Sequence, residues 1–110
     1  MAKEFYLIEN YKKNGKIGIS HQVFEEIARY VTVEVDGVEF LDESSSLLKK
    51  QDIVCKIIND EVYIVINVRI RYNFNVGEVS QIIQDRVSQT ILHMTEIMPK
   101  KVDVNLIDIR

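Results

Sequence analysis

Cysteine, proline and glycine are all scarce in this chain. Its 110 residues include one cysteine, one proline and four glycines. The single cysteine, Cys55, excludes an intramolecular disulfide bond and agrees with a reducing compartment. None of the glycines belongs to a GxGxxG pattern or to a P-loop pattern. The sequence therefore lacks the loops that commonly bind phosphate groups.

An excess of basic residues is also missing. Fourteen lysines and arginines stand against seventeen acidic residues, which gives a net charge of −3. Nucleic acids and anionic membranes are bound by basic surfaces, so neither is the expected partner. The beginning of the sequence has no apolar run of signal-peptide length, and no segment reaches the ~20 apolar residues of a membrane span. We therefore expect a cytoplasmic protein without a direct membrane span.

Residues suited to catalysis or metal binding are few and scattered. His21 and His93 have no second histidine at metal-ligand spacing. Cys55 falls on the apolar phase of a predicted strand, and adjacent carboxylates such as Glu25 and Glu26 point in different directions in a helix. We expect no catalytic residue, no metal site and no cofactor. An enzyme would require Cys55 or a histidine to converge with carboxylates in a pocket.

What the sequence does contain is two amphipathic helices. The longer one is predicted between Asn75 and Pro99, and the shorter begins after Ser20, a good N-cap, and ends at Asp36-Gly37. In both, apolar residues recur at helical spacing. The predicted buried stripes are Val79, Ile82, Ile83, Val87, Ile91 and Met94 in the longer helix, and Val23, Phe24, Ile27, Val31 and Val35 in the shorter.

Alternating apolar residues predict three strands. The first runs from Ile53 to Ile58 and the second from Val62 to about Asn73, with a tight connection at 59–61 that makes them antiparallel. The last strand is predicted between Lys101 and Ile109. Its apolar phase switches near Leu106 and Ile107, either because of a β-bulge or because both faces are partly covered there.

Two segments are open to more than one interpretation. Residues 1–14 form either an arm or a short strand, and with the short strand at 16–19 they could form a hairpin. Residues 42–51 form a serine-rich loop that contains Leu47 and Leu48. These two leucines either fold back onto the core or contact a partner. Residues 15–110 are expected to form a single domain.

The element order predicts the fold class. It is (β)αββαβ, the split-βαβ order when the short first strand is included. This order predicts an α+β two-layer sandwich, in which two helices cover one face of a mixed sheet of three to four strands. The second face of that sheet would be open.

The open sheet face is the candidate protein interface. It combines an apolar end with a basic end. The simpler interpretation is a solvated face covered by long side chains. The alternative is a surface for another protein, because so many apolar residues without a third layer are unusual in a monomer. Its residues are Val54, Ile58, Tyr63 and Val65 at the apolar end, and Lys56, Arg69, Arg71 and Lys101 at the basic end, with Leu47 and Leu48 as further candidates.

Several short motifs follow one another along most of the chain. They are Gly15-Lys16-Ile17-Gly18-Ile19-Ser20, Val35-Asp36-Gly37-Val38, the strand from Val62 to Tyr72, Asn75-Val76 with Glu78-Val79, Met94-Thr95, and Val102-Asp103-Val104-Asn105-Leu106. In this order and spacing they resemble the alkaline shock protein family of Gram-positive bacteria, also called the envelope stress response family. The resemblance covers roughly residues 15 to 109. Departures such as His21 and Gly77, which replace the family's usual prolines, affect helix starts.

The resemblance implies a non-enzymatic cytoplasmic protein of cell-envelope homeostasis and stress response. Some members of the family self-associate and are held at the inner face of the membrane by a membrane-anchoring protein. We therefore expect a homo-oligomer or a partner-binding protein without catalytic residues. The alternative function is a small nucleic-acid-binding module, which is suggested by the α/β sandwich and by Arg69 and Arg71.

Overall fold

A computed structural model describes residues 2–10, 15–39 and 52–109. Within these residues the chain forms seven strands and two helices. Leu47 and Leu48, the serine-rich segment around them and residues 11–14 lie outside the described residues. The elements are β1 (Ala2–Lys3), β2 (Phe5–Asn10), β3 (Gly15–Ser20), α1 (His21–Val33), β4 (Val38–Glu39), β5 (Ile53–Ile58), β6 (Glu61–Ile70), α2 (Val76–Thr95) and β7 (Lys101–Ile109).

The main sheet has five strands and is built around β6. Strand β5 pairs with β6 antiparallel and β7 pairs with it parallel. The two-residue strand β1 extends the sheet beside Ile57 and Ile58 of β5. Strand β4 pairs with Arg69 and Ile70 at the end of β6. It lies on the same side of β6 as β5, beyond the last residue that β5 pairs, and opposite to β7. The predicted α+β sandwich with a mixed sheet is confirmed.

One face of the sheet and one stripe of each helix form the core. Alternate residues of β6 are fully buried, as period-two alternation predicts. They pack with residues of β5, α1, α2 and β7 in one cluster. Its members include Ile57, Val62, Ile64, Ile66, Val68 and Ile70 of the sheet, Phe24, Ile27, Ala28 and Val31 of α1, and Val79, Ile83, Val87 and Ile91 of α2.

The predicted core was too wide at four positions, one of which is Val23 of α1, 43% exposed. Ile82 and Met94 are 39% and 63% exposed, so the buried stripe of α2 has four residues rather than six. A helix lying on a sheet buries a stripe narrower than all of its apolar positions. Tyr72 is 81% exposed because β6 ends at Ile70, three residues before the predicted end.

The helix ends and turns agree with local sequence rules. Ser20 caps α1, and its side chain accepts a hydrogen bond from the Gln22 amide at 3.2 Å. Asn75 does the same for α2 through the Glu78 amide at 3.0 Å. Between β5 and β6 the two loop residues, Asn59 and Asp60, have φ values of 51° and 60°, as a tight type I′ hairpin turn requires.

The turn after α1 depends on Gly37. Its φ is +92°, and a Cβ at this position would lie 2.6 Å from Cγ of Phe74. The Gly37 carbonyl also accepts a hydrogen bond from the Arg71 amide at 2.9 Å. Gly37 therefore brings the chain leaving α1 against the end of β6, where β4 forms.

Residues 5–10 and 15–20 pair as an antiparallel ribbon, which agrees with the hairpin, one of the two interpretations that the sequence left open. Strands β2 and β3 pair antiparallel, from Phe5 opposite Ser20 to Asn10 opposite Gly15. This ribbon is a separate two-stranded sheet, so the strand before α1 does not join the main sheet. Side chains on one of its faces, among them Tyr6, Ile8 and Ile19, pack against the core, whereas Phe5 and Leu7 are exposed.

Candidate protein-binding surface of the sheet

The second face of the main sheet carries the predicted interface residues. Helices α1 and α2 both pack on the core face, and no other described element packs on the opposite face. That face, here called the open face, alternates with the core positions of β5, β6 and β7. Its side chains on β5 and β6 are half-buried except for the exposed Lys56, and they are Val54, Lys56, Ile58, Tyr63, Val65, Asn67 and Arg69.

Tyr63 lies at the centre of one row of the open face. Lys56 of β5 is its partner on one side and Lys101 of β7 on the other. Val54 and Val65 form the next row, together with Asp103. The two lysines therefore border the apolar residues, and their aliphatic stems extend the apolar area beside the tyrosine ring.

The basic residues do not form one cluster, contrary to the predicted basic end. Lys56 and Lys101 lie beside Tyr63, whereas Arg69 lies six residues farther along β6. The sequence could not reveal this separation, because it depends on the strand register. Arg69 is flanked by Glu39 on β4 and Asp108 on β7. Arg71 is 4.0 Å from the Glu39 carboxylate. Acidic residues therefore stand beside both arginines, although Nε of Arg69 is buried without a hydrogen-bond partner among the described residues.

The outer edge of β5 is occupied by side chains of α1. The Cys55 amide donates a hydrogen bond to Oε2 of Glu25 at 2.9 Å. His21, one turn earlier in α1, places Nδ1 3.4 Å from the same oxygen. Because β1 reaches only Ile57 and Ile58, the Glu25 carboxylate takes the place of a neighbouring strand at Cys55.

This meeting of Cys55, Glu25 and His21 is not a catalytic triad. The thiol is buried, and burial raises its pKa to about 12, with the Glu25 carboxylate adding to the effect. A nucleophilic cysteine requires the opposite shift. Glu25 binds the backbone of Cys55 and not its thiol. His93, the other histidine, is exposed on α2. The described residues also contain no group of three or more metal-ligating side chains.

Among the described residues, a helix side chain reaches the outer edge of β7 at one position. The Gln84 side chain of α2 donates to the Val102 carbonyl at 3.1 Å. Farther along the strand, Leu106, Ile107 and Ile109 are 39%, 49% and 50% exposed. Ile107 is the extra residue of a β-bulge, since Val68 pairs with Leu106 and Arg69 with Asp108. The bulge that the phase switch predicted is confirmed.

Glu25 and Gln84 were not identified by the sequence-based prediction. The hydrogen bond of Glu25 joins residues 30 positions apart in the sequence, and that of Gln84 joins residues 18 positions apart. No local pattern marks either contact, because both residues look like ordinary polar positions of amphipathic helices. Only the crossing of the two helices over the sheet shows which backbone groups they reach.

A shallow depression of about 450 Å³ lies where the β5–β6 turn meets the connection from α2 to β7. Its charged lining consists of Asp60, Glu61, Glu96 and Lys100, and Lys100 is 3.4 Å from the Glu61 carboxylate. The lysine partly compensates the carboxylates. The depression has no cysteine or histidine in its lining that could serve as a nucleophile or base.

Comparison with known proteins identifies the family. None of the described helices is long and apolar enough to cross a membrane. A search of curated proteins gave no match. The family model for alkaline shock protein 23, whose description is a cell envelope-related function, matches residues 9–110. The chain therefore belongs to the alkaline shock protein 23 family.

Proposed function

We propose that this chain is a non-enzymatic binding protein of the cell envelope that contacts a second copy of itself or another protein through the open face. The observation that carries this proposal is the row centred on Tyr63. A half-buried aromatic residue, with apolar neighbours in the next row and no described layer above it, is the kind of residue that anchors protein interfaces.

The chemistry of the open face favours a protein partner. Its centre combines Tyr63 with Val54 and Val65, and charged residues lie around it. An apolar centre with a polar rim is the usual anatomy of a protein interface. The family description, a cell envelope-related function, supports this proposal, in which a membrane-anchored partner protein holds the chain at the inner face of the membrane.

Size-exclusion chromatography with light scattering tests the proposal. We expect the chain to assemble with itself, or to be recovered with a membrane protein from the membrane fraction of cells. Tyr63→Glu should abolish that association, because a carboxylate would be buried at the centre of the interface. The matched control is Gln89→Glu on the exposed side of α2, which should leave it intact. A wild-type monomer at every concentration, together with absence from the membrane fraction, would contradict the proposal.

A second candidate function is binding of single-stranded nucleic acid. One observation favours it, because Lys56 and Lys101 flank Tyr63 and could contact phosphates while a base stacks on the ring. Three acidic residues on the same face, Asp103, Glu39 and Asp108, oppose it. This function predicts salt-sensitive binding of a labelled oligonucleotide. Absence of binding at low salt, measured by fluorescence anisotropy, removes it.

A further inference from the structure

The free edge of β7 is a second surface, distinct from the open face. Strand β7 has nine residues and pairs with β6 on one side only. On its other side no described strand pairs with it. Leu106, Ile107 and Ile109 expose much of their apolar surface here. A long edge with unpaired backbone groups and apolar side chains is a template for adding another strand.

The direction of the backbone groups along this edge follows from Val102. Its carbonyl accepts the Gln84 side chain, so it points away from β6. Backbone groups alternate in direction along a strand, so those of Val104 and Leu106 point outward as well. Farther along β7, the Ile109 amide donates a hydrogen bond to Oδ1 of Asp108 at 2.8 Å. No described residue bonds to the outward backbone groups of Val104 and Leu106. Val104 and Leu106 therefore present donors and acceptors to an incoming strand, and Val102 presents its amide.

We propose that β7 pairs antiparallel with β7 of a second copy of this chain, with Val104 at the centre of the pairing. The proposal rests on the proposed function only in requiring that the chain bind protein, since it concerns a different surface. Residues opposite one another in an antiparallel pair lie on the same face of the sheet. Centring on Val104 meets this condition, because it places Val102 opposite the partner's Leu106, and both residues belong to the core face.

The charges along β7 are self-complementary in this register. On the open face, Asp103 lies opposite the partner's Asn105. Counted from Val104, Lys101 falls opposite the partner's Ile107. Because Ile107 is the extra residue of the bulge, the following residue on the open face is Asp108, and Lys101 lies beside the partner's Asp108. Every such contact occurs twice around the two-fold axis. Shifting the centre to Asp103 would place two carboxylates directly opposite each other, which is destabilising. The charges are therefore compatible with a second copy centred on Val104 and disfavour centring on Asp103.

Pairing of this kind would join the two open faces into one surface. The two-fold axis of an antiparallel strand pair runs perpendicular to the sheet, so both pairs of helices lie on the same side. The rows that contain Tyr63 would then belong to one continuous sheet in the dimer. Edge pairing between copies is thus compatible with a further protein bound on the open face.

Substitution at the edge separates this proposal from the open-face proposal. Leu106→Lys should weaken self-association about tenfold or more, measured by light scattering over a concentration series. The matched control is Ile82→Lys on α2, because Leu106 and Ile82 are both 39% exposed. If Tyr63→Glu dissociates the assembly and Leu106→Lys does not, the edge proposal is overturned and the open-face proposal stands. The reverse result leaves the edge proposal standing alone.

A charge exchange tests the register. Lys101→Glu and Asp108→Lys should each weaken the dimer, because each brings like charges together across the two-fold axis. The double variant should recover most of the lost affinity, since both contacts are then restored with exchanged signs. Additive losses without recovery would overturn the proposed register.

Disulfide cross-linking provides a second readout that does not depend on affinity. In the proposed register the two Val104 Cα atoms are about 5.5 Å apart, within the range of a disulfide. Val104→Cys should therefore form a covalent dimer under mild oxidation, whereas Ile82→Cys should not. Native Cys55 is buried, so it does not compete. Equal cross-linking of both variants, or of neither, would overturn the proposal.

Discussion

The two outer edges of the main sheet differ in how completely they are covered. Beside β5, strand β1 pairs with two residues and the Glu25 carboxylate holds the Cys55 amide. Beside β7, the side chain of Gln84 is the one from a described helix that reaches the backbone, at Val102. An uncovered edge is a liability unless a partner uses it. The difference indicates that the β5 edge is closed within the monomer and that the β7 edge is available for pairing.

Each helix contributes one side chain to the edge nearest to it. Glu25 of α1 accepts a hydrogen bond from β5, and Gln84 of α2 donates one to β7. Both hydrogen bonds are partly buried, but the one at Cys55 has a carboxylate acceptor, whereas the one at Val102 joins two neutral groups. Hydrogen bonds to charged groups contribute more, so the contact at the β5 edge should stabilise the fold more than the contact at the β7 edge.

The largest expected effect follows substitution of Gly37, which positions β4 on the closed side of the sheet. Gly37→Ala would add a Cβ 2.6 Å from the Phe74 ring, at a φ of +92°. Backbone strain and overpacking together should lower the free energy of unfolding by roughly 2–5 kcal/mol. Urea denaturation measures the change. Gly18→Ala is the control, because its Cβ would meet side chains only at 3.5 Å or more, and a similar loss in both variants would contradict the interpretation.

Removal of the Glu25 carboxylate should open the β5 edge. Glu25→Ala leaves the Cys55 amide without its acceptor, and the expected loss of stability is about 1–3 kcal/mol. Glu25→Gln retains an acceptor oxygen and should lose clearly less. The exposed neighbour Glu26 provides the control, since Glu26→Ala should be nearly neutral in the same denaturation experiment. Equal losses for Glu25→Ala and Glu26→Ala would show that the edge contact does not stabilise the fold.

Alkaline pH should lower the free energy of unfolding through the thiol of Cys55, which lies at the same edge. The pKa of its thiol rises from 9.0 to about 12 on folding, so between these values the unfolded chain binds fewer protons than the folded one. The free energy of unfolding should then fall by about 1.4 kcal/mol per pH unit above pH 9. Denaturation of the wild type and of Cys55→Ala between pH 8 and about pH 11 should give a shallower slope for the variant. Identical slopes would contradict this assignment.

Loss of the Gln84 contact at the β7 edge should have the smallest effect. Gln84→Ala removes a hydrogen bond between two neutral groups, and the expected cost is about 0.5–1 kcal/mol. Gln89→Ala, an exposed position on the same helix, serves as the control. A loss as large as that of Glu25→Ala would remove the difference between the two edges.

Local patterns in the sequence predicted much of the fold. Alternation predicted β6, Ser20 marked the start of α1, and the phase switch predicted the bulge at Ile107. Each of these features is encoded within a few neighbouring residues. The end of β6 was misplaced, because Arg71 and Tyr72 continue the alternation beyond the last paired residue.

The arrangement across the sheet could not be predicted in the same way. The position of Lys56 beside Tyr63 depends on strand register, and the contacts of Glu25 and Gln84 depend on how the helices cross the sheet. The resemblance to the alkaline shock protein family was confirmed by the family match, which supports an envelope-related role. It does not indicate which surface is used, and that inference comes from the open face and the β7 edge.

Amide hydrogen exchange at low and high protein concentration tests the difference between the two edges most directly. We predict that the Cys55 amide is protected at both concentrations, because Glu25 of the same chain holds it. The Val104 and Leu106 amides should exchange rapidly at low concentration and become protected as β7 pairs with a second copy. Protection of Val104 and Leu106 that does not change with concentration, while light scattering reports dimers, would contradict the account.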